Sequence, residues 1–198
     1  MSYANCRCDP RDRSGCSLAQ MRWGLVPSWW QKTIKDVKLA TFNARAETVT
    51  TKPLFRQAWN RNRCLIPVSG YYEWQTIAKE KQPWYFTRRD GEIVTTAGLW
   101  DGWTDRETGE VLRSCTMIIT EPNNFVAEIN DRMPVILEKD QWDAWLSGDA
   151  GTEILKPAND DALQRTSVSR RINSSRTPGE DATLIEPVVV GEPQGELL

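Results

Sequence analysis

Short runs of apolar, β-branched and aromatic residues punctuate the middle of the chain, at residues 64–67, 71–74, 84–87, 93–99 and 116–120. Arg89-Asp90-Gly91 and Thr108-Gly109 stand between such runs as turn signals. The pattern predicts a mostly antiparallel β meander. Helical periodicity is rarer. Residues 50–59 place Leu54, Phe55, Ala58 and Trp59 at spacings of one, three and four, and residues 139–146 place Trp142, Trp145 and Leu146 on one face. Both predicted helices have an apolar side with which to pack on the sheet. No internal repeat, low-complexity tract or heptad interrupts the chain. The expected class is α+β: a β-rich single domain with a curved, mostly antiparallel sheet or open barrel and peripheral short helices.

Residues 1–20 carry neither period and few large apolar side chains, so they read as a loose amino-terminal segment. The domain is expected over 21–188, followed by a short acidic, frayed tail over 189–198. A chain of 198 residues is long enough to bury one substantial core.

Charge and composition narrow the chemistry. Lys and Arg total 25 against 27 Asp and Glu, a net charge of −2, so no global field draws in nucleic acid and any such binding must come from a local basic cleft. No apolar run approaches the roughly 20 residues that span a bilayer, and the polar start of mixed charge predicts a cytoplasmic protein with no membrane partner. Five cysteines at irregular spacing do not form a secreted disulfide framework. Cys64 and Cys115 fall in apolar runs and read as buried thiols. The chain has ten Trp and no His, which excludes a Ser-His-Asp triad, a Cys-His pair and any His-bearing metal site. Cys6, Cys8 and Cys16 lack a fourth ligand at a recognisable spacing, so neither a metal nor another cofactor is expected.

Four blocks in order carry a family signal. Residues 21–30 read Met-Arg-Trp-Gly-Leu-Val-Pro-Ser-Trp-Trp, residues 42–47 Phe-Asn-Ala-Arg-Ala-Glu, residues 70–74 Gly-Tyr-Tyr-Glu-Trp, and residues 129–137 Ile-Asn-Asp-Arg-Met-Pro-Val-Ile-Leu. With Val168-Ser169-Arg170 and Leu184-Ile185-Glu186-Pro187-Val188 closing the likeness, the chain resembles the SRAP (SOS response-associated peptidase) family. The resemblance implies recognition of abasic sites in single-stranded DNA, in the family by a covalent DNA–protein crosslink, together with a peptidase activity that removes the initiator methionine. It implies that Asn43 and Glu73 are the polar active-site pair, that Arg45 and Arg132 contact phosphate, and that Trp29 and Trp30 support the DNA channel. The residue chemistry is compatible. Trapping the aldehyde of an open deoxyribose needs an amine or thiol nucleophile, a carboxylic acid to move protons and an amide to hold the intermediate. Tyr72 and Trp74 beside Glu73 offer an apolar setting that would raise its pKa.

The same residues also admit plainer roles. Glu73 alternates with Tyr72 and Trp74 along a strand, the pattern of a solvent-facing glutamate. Asn43 and Asp131 fit turns, and Arg45 and Arg132 fit surface ion pairs. Trp23, Trp59, Trp100, Trp142 and Trp145 fit the core. Trp29 and Trp30 follow Pro27-Ser28 in a loop, where one or both stack on bases or anchor the loop.

The chain departs from the family at two positions. Ser2 replaces the cysteine whose amine and thiol close a thiazolidine on the aldehyde, a ring that an internal cysteine cannot form. Asn130 replaces the histidine before Asp-Arg, and asparagine neither takes up nor releases a proton near neutral pH. These departures point away from a stable crosslink and leave proton transfer to Glu73. With Met1 removed, the Ser2 α-amine is expected to form at most a reversible Schiff base with slow lyase activity. The partner implied is single-stranded DNA with abasic sites, at single-strand/duplex junctions, bound by a monomer acting at the nucleoid. The competing readings are a non-catalytic single-stranded DNA-binding module on the same fold, and a Trp-lined carbohydrate-binding module.

Overall fold

The computed structural model describes residues 3–7, 17–37 and 41–190, the first of these as backbone only. The chain divides into two compact units, each assembled from separate stretches of sequence. The first comprises residues 1–67, 95–121 and 132–158, the second 68–94, 122–131 and 159–198. Strands predominate over short helices, so the α+β class expected from the sequence holds.

The first unit is built on a mixed seven-stranded sheet. It contains β1 (Tyr3–Arg7), β2 (Ser17–Trp23), β3 (Asn43–Arg45), β4 (Arg63–Val68), β7 (Val94–Thr104), β8 (Val111–Thr120) and β9 (Met133–Pro134). The main path runs β1-β2-β8-β7-β4, with β3 and β9 also paired to β8. The segment expected to be loose thus supplies β1 and the start of β2, which pair antiparallel from Tyr3↔Arg22 to Arg7↔Ser17. The β7–β8 hairpin is antiparallel as expected, closed by Thr108-Gly109 with Gly109 at φ 73°. Both β2 and β3 pair with β8 in parallel, which the predicted meander did not include. Parallel neighbours need long crossovers rather than tight turns, so local turn signals cannot announce them.

Helix α1 (Pro53–Arg61) starts with Pro at its first turn, where the missing N–H costs nothing, and buries Phe55, Ala58 and Trp59. Further along, Trp142–Ser147 forms a helix that continues a 3₁₀ turn over Lys139–Gln141 and ends at Gly148, whose φ of 87° closes it in the left-handed conformation. Ala44, Leu65, Ala97, Leu99, Ile118 and Val135 from the sheet meet Phe55, Trp59 and Trp145 in one cluster. Arg63 is buried within it, its guanidinium 4.2 Å from the Trp59 ring and 4.6 Å from the Trp145 ring, while donating to the carbonyls of Trp59 and Ala150. Cys64 and Cys115 are buried, as expected.

The second unit holds the three-stranded sheet β10-β6-β5, formed by β5 (Tyr71–Ile77), β6 (Glu80–Arg88) and β10 (Leu163–Ser167). All its pairings are antiparallel. Helix α2 (Asn124–Ala127) is capped by Asn123, whose side chain accepts from the Val126 N–H; Trp142–Ser147 of the first unit is α3. Gln82 is fully buried, donating to the carbonyls of Pro83 and Val168 and accepting from Arg170 at 3.3 Å, which holds the Val168-Ser169-Arg170 stretch to β6. Among the described residues no helix is long and apolar enough to cross a membrane.

Candidate functional site

The loop that follows β2 is fixed by its backbone. Gly24, at φ 101°, donates to the Cys115 carbonyl at 2.9 Å, and Leu25 donates to that of Thr41 at 3.1 Å. The Val26 N–H reaches Ser114 Oγ and the Ser28 N–H reaches Asp101 Oδ2, both at 2.8 Å. Pro27 through Trp30 then turn, the Trp30 N–H returning to the Pro27 carbonyl. The two tryptophans at the end of this loop have different surroundings. Trp29 is 45% exposed and lines a cleft of about 820 Å³. Trp30 does not line that cleft. Its carbonyl accepts from the Trp103 indole at 2.8 Å and its own indole donates to the Thr33 carbonyl at 3.1 Å, so Trp30 anchors the loop that presents Trp29.

The cleft brings Trp29 together with Phe42, Asn43 and Arg45 from the start and body of β3, Lys52 and Phe55 from the start of α1, and Ile119 of β8. Strand alternation accounts for the arrangement: Ala44 is buried, so Asn43 and Arg45 on either side project to the open face. Of the residues singled out from sequence, Asn43, Arg45 and Trp29 share this cleft. Lys52 and the half-exposed Phe42 belong to it as well, with no role anticipated. Phe42 stands in the same block as Asn43, and Lys52 directly precedes the helix-starting Pro53, signals that could have marked both. The cleft is lined by apolar side chains together with two cations and an amide, a combination suited to an anionic ligand that carries flat rings.

Arg132, at the start of the segment that leads into β9, donates through Nη1 to Glu47 Oε1 at 2.5 Å. Glu47 is held below the usual carboxylate range. The strongest cause is its own backbone N–H, opposed by partial burial and supported by the hydrogen bond and charge of Arg132 and by the charge of Arg45.

In the second unit, Glu73 of β5 accepts a hydrogen bond from Asn130 Nδ2, which lies just after α2. Burial pushes the Glu73 carboxyl up to about 7, with the nearby Asp131 charge adding to the rise and the Asn130 bond opposing it. The direction agrees with the sequence-based expectation, but the residues on the same strand face differ from those expected. Tyr72 and Trp74 point to the opposite face of the strand, where Tyr72 packs at 4.9 Å from Tyr85. The residues sharing the face of Glu73 are Tyr71, its cross-strand partner Trp84, and Phe86, which stacks on Tyr71 at 5.1 Å. The Tyr71 hydroxyl is buried without a hydrogen-bond partner, and its pKa is raised first by burial and then by the Glu73 charge.

Among the described residues no group of three or more Cys, Asp or Glu is placed to hold a metal ion. Ser2, Cys8 and Cys16 lie outside the described residues, as does the side chain of Cys6.

Comparison with known proteins places the chain among relatives. The chain is 39% identical over 173 residues, covering 83% of itself and 74% of its relative, to abasic site processing protein YoaM of Bacillus subtilis. It is 29% identical over 174 residues, covering 84% and 73%, to abasic site processing protein YedK of Escherichia coli. A crystal structure of a protein from Bacteroides thetaiotaomicron superposes with a TM-score of 0.81 at 27% identity, covering 87% of this chain and 78% of that one. Residues 3–175 match the model of the SOS response associated peptidase (SRAP) family, and the chain belongs to that family.

Proposed function

We propose that this protein processes abasic sites in single-stranded DNA. The observation that carries the reading is the cleft of the first unit, which Arg45, Lys52 and Asn43 line together with the rings of Trp29, Phe42 and Phe55. A strand needs cations for its phosphates and flat apolar faces for its bases, and an acidic protein must supply both locally. The relatives named for abasic site processing support the substrate. Arg132 serves as a further phosphate contact. Glu73 moves protons at the opened sugar: with a pKa of about 7 it is divided between acid and base forms near neutrality, the condition under which one carboxyl both donates and accepts. Asn130 orients that carboxyl and does not itself titrate. Stacking on Trp29 requires an unpaired base, so a junction of single strand and duplex is preferred to continuous duplex. The protein binds as a monomer and acts at the nucleoid.

The test uses a fluorescently labelled single strand bearing one abasic site, titrated by anisotropy across salt concentrations and then run on a denaturing gel with and without borohydride. Salt-sensitive binding that Arg45→Ala and Arg132→Ala each weaken is expected. With borohydride, an adduct that Glu73→Gln diminishes is expected, since the hydride traps an imine between a protein amine and the sugar aldehyde. Equal affinity for intact duplex, or binding indifferent to both arginines and to salt, overturns the reading.

A further inference from the structure

Glu47 is paired with one of the two arginines proposed to contact phosphate. Its carboxylate receives Arg132 Nη1 at 2.5 Å and also feels the charge of Arg45, so one anion is shared by both arginines assigned to the DNA backbone. The pair is open to solvent, with side-chain exposures of 26% for Arg132 and 52% for Glu47. Glu47 follows β3 in the turn over residues 46–51, whose start is fixed by Ala46 N–H donating to the Ile119 carbonyl at 2.8 Å. It is therefore tethered beside Arg132 whether or not the two are bonded. A carboxylate and a phosphodiester present the same pair of acceptor oxygens and the same unit charge to a guanidinium fork. We infer that Glu47 is a specificity-determining residue for strand binding, a resident anion that keeps Arg132 in place in the free protein and that a backbone phosphate must displace.

The inference rests on the proposed assignment of Arg45 and Arg132 to phosphate. Opening an exposed ion pair costs little, so the exchange is easy. The displaced carboxylate nevertheless remains a few ångströms from the incoming phosphate and repels it. Weak or misplaced anions thus fail to compete with Glu47, whereas a strand seated on several contacts succeeds.

The experiment measures anisotropy of a labelled single strand bearing a tetrahydrofuran abasic analogue. Glu47→Gln keeps the shape and removes the charge. It should bind about threefold to tenfold more tightly at low salt, as expected for deleting one repulsive charge near a partly solvated phosphate. Its salt dependence should be steeper by up to about one phosphate contact, because no tethered anion is released on binding. Glu47→Asp keeps the charge and should stay near the wild-type affinity, and Glu47→Ser, a second neutral variant, should reproduce the gain. In an Arg132→Ala background the gain should fall to less than half. Weaker binding by both neutral variants overturns the inference, since Glu47 would then be required to orient the arginines. An undiminished gain in the Arg132→Ala background overturns it too, because the effect would be one of net charge. If Arg132→Ala and Arg45→Ala leave the wild-type affinity unchanged, the assignment of the arginines itself falls.

Discussion

Glu73→Gln gives the most direct measure of the electrostatics in the second unit. The carboxyl pKa is pushed up to about 7 from an ordinary 4.5, chiefly by burial. Burial favours the neutral form, so between these values the folded protein keeps a proton that the unfolded chain has released. Stability must therefore fall as pH rises through that window and level off above about 7. At about 1.4 kcal/mol per pKa unit the full cost is about 3 kcal/mol near pH 8.5, of which less than about 1 kcal/mol is felt near pH 5. This is an upper bound, because the carboxyl retains some contact with water. Glutamine is neutral throughout and still accepts from Asn130, so it escapes the cost while keeping the hydrogen bond seen at Glu73. Urea unfolding of both proteins, followed by circular dichroism at about pH 5 and about pH 8.5, should show Glu73→Gln gaining roughly 2 to 3 kcal/mol on the wild type between the two conditions. The same substitution should reduce borohydride trapping of an abasic strand. Parallel stability profiles, or an advantage of the glutamine that grows toward acid pH, would refute the assignment of a buried, proton-retaining carboxyl.

The two loop tryptophans should separate in function. Trp29→Ala should weaken single-strand binding by about 5- to 150-fold, the equivalent of one stacked base at 1 to 3 kcal/mol, with stability changed by less than about 0.5 kcal/mol; Trp30→Ala should instead lower the urea midpoint, since the loop loses the hydrogen bond from the Trp30 indole to the Thr33 carbonyl. The reverse pattern in paired anisotropy and unfolding measurements would show that the loop is oriented differently. Tyr71→Phe removes a buried hydroxyl with no partner while retaining the stack on Phe86, so stability should be unchanged or higher by up to about 1 kcal/mol. A loss larger than about 1 kcal/mol on urea unfolding would show that the hydroxyl is satisfied in solution.

Where neighbours in sequence are neighbours in space, the sequence was readable. The strands β5 and β6, the β7–β8 hairpin with its Thr108-Gly109 turn, and α1 follow from local alternation, turn residues and helical spacing, whereas the β5–β6 turn at Ala78-Lys79, both at positive φ, carries no such signal. The parallel pairing of β2 and β3 with β8 joins residues some 70 to 90 positions apart, and no local pattern records it. Strand β10 was missed for a related reason. Its sequence, Leu-Gln-Arg-Thr-Ser, has one large apolar residue, and it is a strand because β6 offers it an edge to pair with.

The candidate site can be named from the sequence as a set of residues and not as an arrangement. The motif blocks contain Asn43, Arg45, Glu73, Asn130 and Arg132 but do not say which side chain answers which. Trp29 and Trp30 are the same residue in adjacent positions, and what separates them is a hydrogen bond from Trp103, more than 70 positions away. Glu73 makes the point in reverse. A raised pKa was expected from Tyr72 and Trp74, the residues next to it in the chain, yet a strand turns its immediate neighbours to the other face. Tyr71 two positions before and Trp84 and Phe86 across the register share its face instead, so a one-residue slip of β5 against β6 would leave the sequence motif intact while turning the carboxyl to the other face. The raised pKa of Glu73 thus resides in strand register. Glu47 follows the same logic, since its place in the block beside Arg45 gives no sign that it meets Arg132, 85 positions on. In this fold the chemistry of each charged group is set by the partner that pairing and turns deliver to it, and substitutions that shift register should abolish function without touching any motif residue.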